Sequence, residues 1–441
     1  MKVCMLIFQL DNMGGITNYI ENLGLEFQRQ GVECDLYQIR GLRPKRTTSK
    51  ENENARQSKA FPYLTMIQSS GYKFDLDHIL GYMNEEELQH YYDVVNSYDK
   101  VIFTIPCVSV CSATFGNMDW VKLYDLKTKP YIISHDVHFY DRYPHLIYVK
   151  DKIEAVISVH RSTHNMFLKH SDMKTMESEI IYDSSRYTEL FNDNYESRSG
   201  LLSAQNFKTW KHVDLFVRVC SFIKDCPRIL SGSGLVYSNM TSPDKTKPRF
   251  FWKETDNVPK EFVGRRIWDT AIDAGMDHKM YIEDHEEMLR YFQKCKLFVD
   301  LSHNKEMEEF GEHVNTTFFE ACITGAVPVM FECHRKPGWI EPGENFLPLK
   351  WTEDHTYLTE KIKEYLNLPK EEYERIQKNN IRLIKKLNKE YIAKDIIRLM
   401  NGETDVGLSG KLEQGEGLSE RVVEKAERLK DHFNGIRRMN V

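Results

Sequence analysis

The sequence lacks the features that mark several large classes of protein. Its nine cysteines include no CxxC pair, and no apolar run is long enough to cross a bilayer. It has no excess of positive charge, because 60 Lys and Arg face 66 Asp and Glu, for a formal net charge of −6. With 23 glycines and 14 prolines it is neither collagen-like nor of low complexity. We therefore expect a globular protein whose contacts with any polyanion are local.

The cysteines and the N-terminus give little sign of secretion or of metal binding. The cysteines lie mostly in apolar segments, which predicts reduced thiols in a cytosolic protein. The apolar run after Met1 reaches Gln9 too soon for a signal peptide. Cys107 and Cys111 have no obvious further zinc ligands, and the D-x-D stretch over 75–77 lies outside the predicted strand ends. We predict no tightly bound metal, and stimulation by a divalent cation stays open.

The length and the hydrophobic pattern predict two α/β domains. With 441 residues the chain exceeds the size at which one core stops growing. Short runs rich in Val, Ile and Phe alternate with amphipathic segments, which is typical of βαβ units around parallel sheets. The predicted strands cover 3–8, 35–39, 101–105, 131–134, 155–159 and 179–182, and then 228–231, 280–282, 297–301 and 327–331. The predicted helices cover 17–30, 160–170, a segment from about 209, much of the chain after 358, and 419–434.

Two glycines stand between the first predicted strand and the first predicted helix. In an open α/β sheet, ligands bind at the carboxyl ends of strands, where glycine lets a phosphate approach the free N–H groups of a helix N-terminus. Gly14 and Gly15 occupy that position. The G-x-G-x-x-G pattern is absent, so the pair indicates either a phosphate or sugar contact or a plain turn.

A histidine and a carboxylate end another predicted strand. The strand over 131–134 runs into His135, Asp136 and His138. Neighbouring residues of a strand point to opposite faces, so a His-Asp pair acts as a unit only where the strand becomes a loop, as it does here. The alternative is a loop in which Asp136 caps the next turn and the histidines are surface residues.

The most informative pattern is a pair of glutamates eight positions apart, Glu312 and Glu320. They are separated by a little over two helical turns and can face one side of a helix. Two carboxylates can accept hydrogen bonds from the hydroxyls of a sugar or a ribose, and the helix N-terminus over 313–317 favours a diphosphate. The alternative is two solvated glutamates on an ordinary amphipathic helix.

At these residues the sequence resembles a known family. The segment 312–329 is similar to the E-x7-E helix and following strand of retaining glycosyltransferases with the GT-B fold. In the same order, 14–17, 46–49, 135–138 and 209–211 resemble stretches of the phage DNA glycosyltransferases that act on hydroxymethylcytosine, which include arabinosyltransferases. The resemblance spans nearly the whole chain.

The resemblance implies an α/β GT-B architecture of two Rossmann-like domains facing a central cleft. The first domain, 1–195, would bind the acceptor, and the second, 196–385, would bind a nucleotide sugar. A helical segment over 386–441 would cross back and pack on the first domain.

The resemblance also assigns roles residue by residue. The implied catalytic residues are Asp136, nearest the acceptor hydroxyl, His135, and Glu312 on the donor sugar. Glu320 would bind the ribose. Lys211 would neutralise the phosphates above Gly15. The other implied donor-binding residues are Gly14, Ile16, Lys208, Tyr281, Ile282, His313, Val314, Asn315 and Thr316. The family usually has an arginine shortly before the lysine, whereas this chain has none over 203–209 and offers Lys208 instead.

One insert of the first predicted domain is strongly basic. Residues 40–60 carry seven Lys and Arg against two Glu, a net charge of about +5. Such a loop would contact DNA phosphates and position a duplex without reading its sequence. The alternative is a solvated loop without a partner. The implied acceptor and DNA contacts are Arg43, Lys45, Arg46, Thr47, Lys50 and His138.

The resemblance, together with the basic insert, implies a retaining glycosyltransferase that moves glucose or arabinose from a UDP-sugar to the hydroxymethyl group of modified cytosine in double-stranded phage DNA. We expect a monomer without a membrane partner, in the cytoplasm, which is the host's if the gene belongs to a phage. One alternative is a GT-B glycosyltransferase with a polysaccharide, lipid or protein acceptor and no DNA affinity. The other is a non-catalytic GT-B-like protein, which would keep its function after Asp136→Ala or Glu312→Ala.

Overall fold

Two sheets of mostly parallel strands organise the chain, one in each of two units. Unit 1 comprises Met1–Asp183 and Leu387–Val441, and unit 2 comprises Ser184–Lys386. The computed structural model describes residues 1–7, 15–39, 65–67, 85–104, 118–135, 143–205, 209–232, 260, 263–265, 267–279, 282, 284–311 and 314–428. Within these ranges, no helix is long and apolar enough to span a membrane.

The strands of unit 1 are ordered β14-β7-β6-β5-β4-β1-β2-β3, and those of unit 2 β10-β9-β8-β11-β12-β13. Neighbouring strands are parallel, except that β14 is antiparallel to β7. The strands are β1 Lys2–Ile7, β2 Glu33–Ile39, β3 Thr65–Ile67, β4 Lys100–Thr104, β5 Tyr131–Ser134, β6 Ala155–Ser158, β7 Lys174–Glu177, β8 Leu201–Ala204, β9 Arg228–Ser231, β10 Asp277–Lys279, β11 Leu297–Asp300, β12 Val327–Phe331, β13 Leu347–Leu349 and β14 Glu413–Gln414.

Helices connect most of these strands. The α-helices are α1 Gly15–Arg29, α2 Glu85–Val95, α3 Arg161–His170, α4 Tyr187–Leu190, α5 Val213–Ser221, α6 Ile267–Asp273, α7 His285–Lys294, α8 Lys305–Phe310, α9 Thr316–Thr324, α10 His355–Leu366, α11 Lys370–Lys386 and α12 Lys389–Met400, followed by a helix described over 420–428. Short 3-10 helices are Met118–Tyr124, Pro144–Lys152, Ser184–Arg186, Tyr195–Ser197, Thr209–Lys211 and Glu332–His334.

The apolar sequences of its strands and of one helix account for the core of unit 2. All five residues of β12 and all four of β11 are buried, so both faces of these strands are covered, as expected for parallel sheets flanked by helices. The helix α5 buries seven of its nine residues and belongs to the same core of unit 2. It begins after His212, whose φ of 45° turns the chain from the preceding 3-10 helix.

The C-terminal segment returns to unit 1. The helix α12 packs on α1, where Arg29 pairs with Glu390 at 3.0 Å. Further on, β14 extends the sheet beside β7, and Glu413 accepts a hydrogen bond of 2.8 Å from the buried His164. Gly415 passes so close to the carbonyl of Ser171 that a Cβ would lie 1.7 Å from that oxygen, which explains the glycine.

Most of the predicted strands are confirmed. Eight of them coincide with β1, β2, β4, β5, β6, β9, β11 and β12 to within two residues, and the helices predicted over 17–30 and 160–170 are α1 and α3.

One predicted strand is wrong, and another lies mostly outside the described part of the chain. The first, over 179–182, is a loop after β7 that buries Ile181 but does not pair with the strands of the sheet. The strand β7 precedes it and was not predicted, because its sequence KTME begins and ends with charged residues. The second, over 280–282, has only Ile282 among the described residues, and the apolar pattern did not mark β10, the edge strand of polar sequence DHK that precedes it.

Candidate functional site

A lysine and an aspartate meet through an asparagine at the carboxyl ends of the strands of unit 2. Lys211 lies in the 3-10 helix that follows β8, and it is only 7% exposed. Its Nζ donates a hydrogen bond to Asn315 Oδ1 and lies 4.0 Å from the centre of the Trp210 ring. Asn315 Nδ2 donates to Oδ2 of Asp300, the last residue of β11, at 2.6 Å. These two hydrogen bonds therefore connect the segment after β8 and the end of β11 with the start of α9.

The carboxylate of Asp300 is buried and charged. Its Oδ1 accepts a hydrogen bond from the backbone N–H of Ser302 at 2.9 Å and another from the Ser302 hydroxyl. Burial alone would raise the pKa of Asp300, but Lys211, His334 and the bonds from Ser302 together hold the pKa below its usual value. Asp300 thus supplies a fixed negative charge that stabilises the ammonium group of Lys211.

Asn315, the residue before α9, does not cap this helix with its side chain. Asn315 precedes the helix in an extended conformation with ψ of 162°, and its side chain makes no capping hydrogen bond, because its amide group serves Lys211 and Asp300. The uncapped N–H groups of a first helical turn favour an anion. Lys211 is therefore held next to a second source of positive potential.

Glu320, on the second turn of α9, pairs with a histidine of α7. His285 Nε2 lies 2.8 Å from Glu320 Oε1, and Glu320 is 7% exposed. This hydrogen bond raises the pKa of His285 against the opposing effect of burial. Sequence reasoning missed His285, which opens a helix capped by Asp284 through a hydrogen bond from Glu286 N. The cap was visible in the sequence, but the partner of His285 was not.

His135 stands at the carboxyl end of β5 in unit 1. Its backbone N–H donates to the Tyr143 hydroxyl at 3.0 Å, and its ring meets the edge of Tyr19 with centroids 4.5 Å apart. Burial lowers the pKa of His135 to about 3, so the imidazole is neutral at physiological pH. Its Nε2 is buried and makes no hydrogen bond within the described part of the chain.

The other predicted site residues are buried, lie in the first turn of a helix, or lie outside the described part of the chain. Val314 and Ile282 are buried apolar side chains, so only their backbones are available to a ligand. Gly15, Ile16 and Thr316 lie in the first turns of α1 and α9. Twelve predicted site residues lie outside the described part of the chain: Gly14, Arg43, Lys45, Arg46, Thr47, Lys50, Asp136, His138, Lys208, Tyr281, Glu312 and His313. Among the residues that the structure describes, no three His, Cys, Asp or Glu side chains are grouped to hold a metal ion.

Comparison with known proteins identifies the fold. No protein-family model matches the sequence, and no curated protein matches it. The chain is similar to an alpha-glucosyltransferase solved in complex with UDP and a 13-mer DNA containing an HMU base, with 14% identity and a TM-score of 0.61 over 91% of this chain and 99% of that one. It is also similar to Anabaena Alr3699/HepE in complex with UDP, with 10% identity and a TM-score of 0.61 over 91% and 100%.

A third similar structure is a glycosyltransferase from Rickettsia africae ESF-5, with 11% identity and a TM-score of 0.61 over 91% of this chain and 98% of that one. At such identities a structural likeness establishes architecture, and the two parallel sheets agree with it. The chain has the α/β GT-B fold of these glycosyltransferases.

Proposed function

We propose that this protein is a retaining glycosyltransferase that uses a UDP-sugar. The observation that carries the proposal is the position of Lys211. This nearly buried lysine is anchored to Asn315, at the start of α9, and through Asn315 to the charged Asp300 at the end of β11. A buried lysine and an uncapped helix N-terminus together neutralise a diphosphate. The UDP complexes of the alpha-glucosyltransferase and of HepE support the same use of this fold.

In this proposal unit 2 binds the donor. Lys211 neutralises the phosphates, Glu320 accepts hydrogen bonds from the ribose hydroxyls, and Glu312 binds the donor sugar. The hydrogen bond between His285 and Glu320 supports this role, because a carboxylate that accepts one hydrogen bond keeps lone pairs for further donors. Lys208 would stand in for the arginine that the family usually carries.

In this proposal unit 1 binds the acceptor. The acceptor oxygen forms a bond to the anomeric carbon on the face from which the diphosphate leaves, and the hydroxyl proton passes to an oxygen of that leaving group. Stabilising the departing charge therefore matters more than a strong base. Asp136 would orient the acceptor hydroxyl, and the neutral His135 would hold a sugar hydroxyl through its unpaired Nε2.

The acceptor in this proposal is the hydroxymethyl group of modified cytosine in double-stranded DNA. The basic insert over 40–60 supports a polyanionic acceptor, and the DNA complex of the similar alpha-glucosyltransferase supports DNA. A base that is modified inside an enclosed site has to leave the duplex stack. The transferred sugar would be glucose or arabinose.

The test is to incubate the protein with hydroxymethylcytosine DNA and a panel of UDP-sugars, with and without Mg²⁺, and to weigh the digested nucleosides by mass spectrometry. We expect the modified base to gain the mass of one hexose or one pentose. Asp136→Asn should abolish the product while UDP binding persists. Asp193→Asn, which changes an exposed aspartate of unit 2, is the matched control and should keep both.

Two results would contradict parts of the proposal. Hydrolysis of a UDP-sugar without any gain of mass on DNA would exclude the DNA acceptor and favour a polysaccharide, lipid or protein acceptor. Failure to bind UDP or any UDP-sugar would exclude the donor assignment itself.

A further inference from the structure

A cavity of about 520 Å³ lies in unit 2, lined by residues that follow β11, β12 and β13. In the sheet, β12 and β13 lie on the side of β11 that faces away from β8, the strand that leads to Lys211. The volume is within the range of small-molecule sites in proteins. The cavity contains none of the residues assigned above to the donor or the acceptor.

Three aromatic side chains line one side of the cavity and are called here the aromatic wall: His303, Trp351 and Phe331. The rings of His303 and Trp351 stack at 3.7 Å with an angle of 6°, and Phe331 meets Trp351 edge-on at 5.0 Å. The backbone N–H of His303 donates to the carbonyl of Trp210 at 2.8 Å, which fixes the loop. The aromatic wall is therefore rigid before any ligand binds.

His303 leaves one buried hydrogen-bonding atom without a partner. The residue is 6% exposed, and among the described residues its Nε2 makes no hydrogen bond; Oε2 of Glu308 lies 3.6 Å from it, beyond hydrogen-bonding distance. Burial, together with His212 and His334, lowers the pKa of His303 to about 4, so the ring is neutral at physiological pH. Buried polar atoms are nearly always satisfied in folded proteins, and this one belongs to a residue that lines the cavity.

The rest of the lining is acidic. Glu308 and Glu332 are exposed carboxylates, whereas Glu341 is paired with Arg335 at 2.7 Å. Three glutamates and one arginine give the cavity a net charge of −2, which disfavours phosphates and nucleic acid. Carboxylates accept strong hydrogen bonds from hydroxyl groups. A cavity lined by both an aromatic wall and exposed carboxylates suits a ligand with an apolar C–H face and many hydroxyls.

We propose that this cavity is a second carbohydrate site, separate from the nucleotide-sugar site, that binds a neutral saccharide of one or two rings. The C–H face of the ring packs on the aromatic wall, its hydroxyls donate to Glu308 and Glu332, and one of them bonds to His303 Nε2. The inference goes beyond the proposed function, because it concerns other residues and needs no transfer reaction.

The experiment is saturation-transfer difference NMR on the full chain with maltose as the probe. We expect transfer from the wild type to the sugar protons, unchanged by saturating UDP. In the variant Glu308→Gln/Glu332→Gln the transfer should fall at least fivefold. The matched control, Glu309→Gln/Glu353→Gln, changes two exposed glutamates outside the cavity lining and should keep the signal. UDP binding should be equal in all three proteins.

Four results would overturn the inference: no transfer from the wild type, an equal loss in the control, displacement of maltose by UDP, and binding of spermidine in place of maltose. The third would assign the cavity to the donor site, and the fourth to a cationic ligand. None of them affects the mass-spectrometric test of transfer to DNA, so failure of this inference and failure of the proposed function are distinguishable.

Discussion

At the scale of single residues, the site depends on how one charge is balanced. Lys211 is nearly buried, and a buried ammonium group without a counter-charge would be costly. Asp300 supplies that charge and is itself kept ionised by Lys211, His334 and Ser302. Asn315 connects the two by accepting from one and donating to the other. If Lys211 binds the donor diphosphate as proposed, this arrangement holds the lysine in place beforehand, which is what preorganised stabilisation of a leaving group requires.

The first prediction concerns Lys211→Met, which removes the charge and keeps most of the length of the side chain. We expect UDP affinity, measured by isothermal titration calorimetry, to fall at least about tenfold, because hydrogen bonds to charged groups contribute ~1.5–3 kcal/mol. Lys305→Met, on the exposed first residue of α8, is the matched control and should leave the affinity unchanged.

A second variant separates binding from folding. Lys211→Met leaves Asp300 buried without its counter-charge, so the melting temperature should fall as well. Lys211→Met/Asp300→Asn should recover the melting temperature but not the UDP affinity. Recovery of both by the double variant would contradict a role of Lys211 in binding phosphate.

At the scale of elements, α7 and α9 are linked by the hydrogen bond between His285 and Glu320. This bond raises the pKa of His285, so its contribution to stability is present below the ordinary histidine pKa of about 6.5 and is lost as pH rises through the raised value. If Glu320 also binds ribose, the ribose hydroxyls and His285 share the same carboxylate, and each weakens the hydrogen bond of the other. Occupation of the donor site should then appear as a change in the titration of His285.

The second prediction is that Glu320→Gln lowers the pKa of His285, because a neutral amide stabilises the imidazolium less than a carboxylate does. Saturating UDP should lower the same pKa in the wild type. Both are measured by NMR titration of the histidine ring. Glu287→Gln, on the same helix as His285, is the control and should leave the titration close to that of the wild type. A pKa that is insensitive to UDP would rule out Glu320 as the ribose ligand.

The elements also show what the sequence could and could not predict. Strands such as β12, with the sequence VPVMF, were predictable because an apolar run marks a strand covered on both faces. The strands β8 and β13 were missed because LLSA and LPL are too short to show a period. Glu320 could be proposed from its spacing to Glu312. His285 and Asp300 could not, because their roles arise from contacts between residues distant in the chain.

At the scale of the whole molecule, charge is distributed unevenly along the chain. The formal net charge is −6, yet residues 40–60, which lie outside the described part of the chain, carry about +5. A globally negative protein repels DNA at long range, so binding requires local contacts strong enough to overcome that repulsion. Contacts with DNA phosphates release counterions. The number of these contacts can therefore be determined from the dependence of DNA affinity on salt concentration.

The third prediction is that neutralising the insert weakens this salt dependence. Changing Arg43, Lys45, Arg46 and Lys50 to glutamine should lower the slope of log K against log salt by about 0.9 for each phosphate contact that is lost. DNA binding is measured by fluorescence anisotropy between about 50 and 200 mM salt, because the loss of phosphate contacts changes affinity strongly over this range. Transfer to hydroxymethylcytosine DNA should fall in parallel, whereas UDP affinity should not change.

The matched control takes the same four charges from exposed lysines of unit 2. It changes Lys305, Lys363, Lys370 and Lys378 to glutamine. Both variants shift the formal net charge from −6 to −10, because four positive charges are removed from the value of the sequence in each case. They therefore share any effect of overall repulsion and differ only in where the charge was lost. An equal change of slope in both would assign DNA affinity to net charge, and an unchanged slope in the insert variant would exclude the insert as a DNA-binding surface.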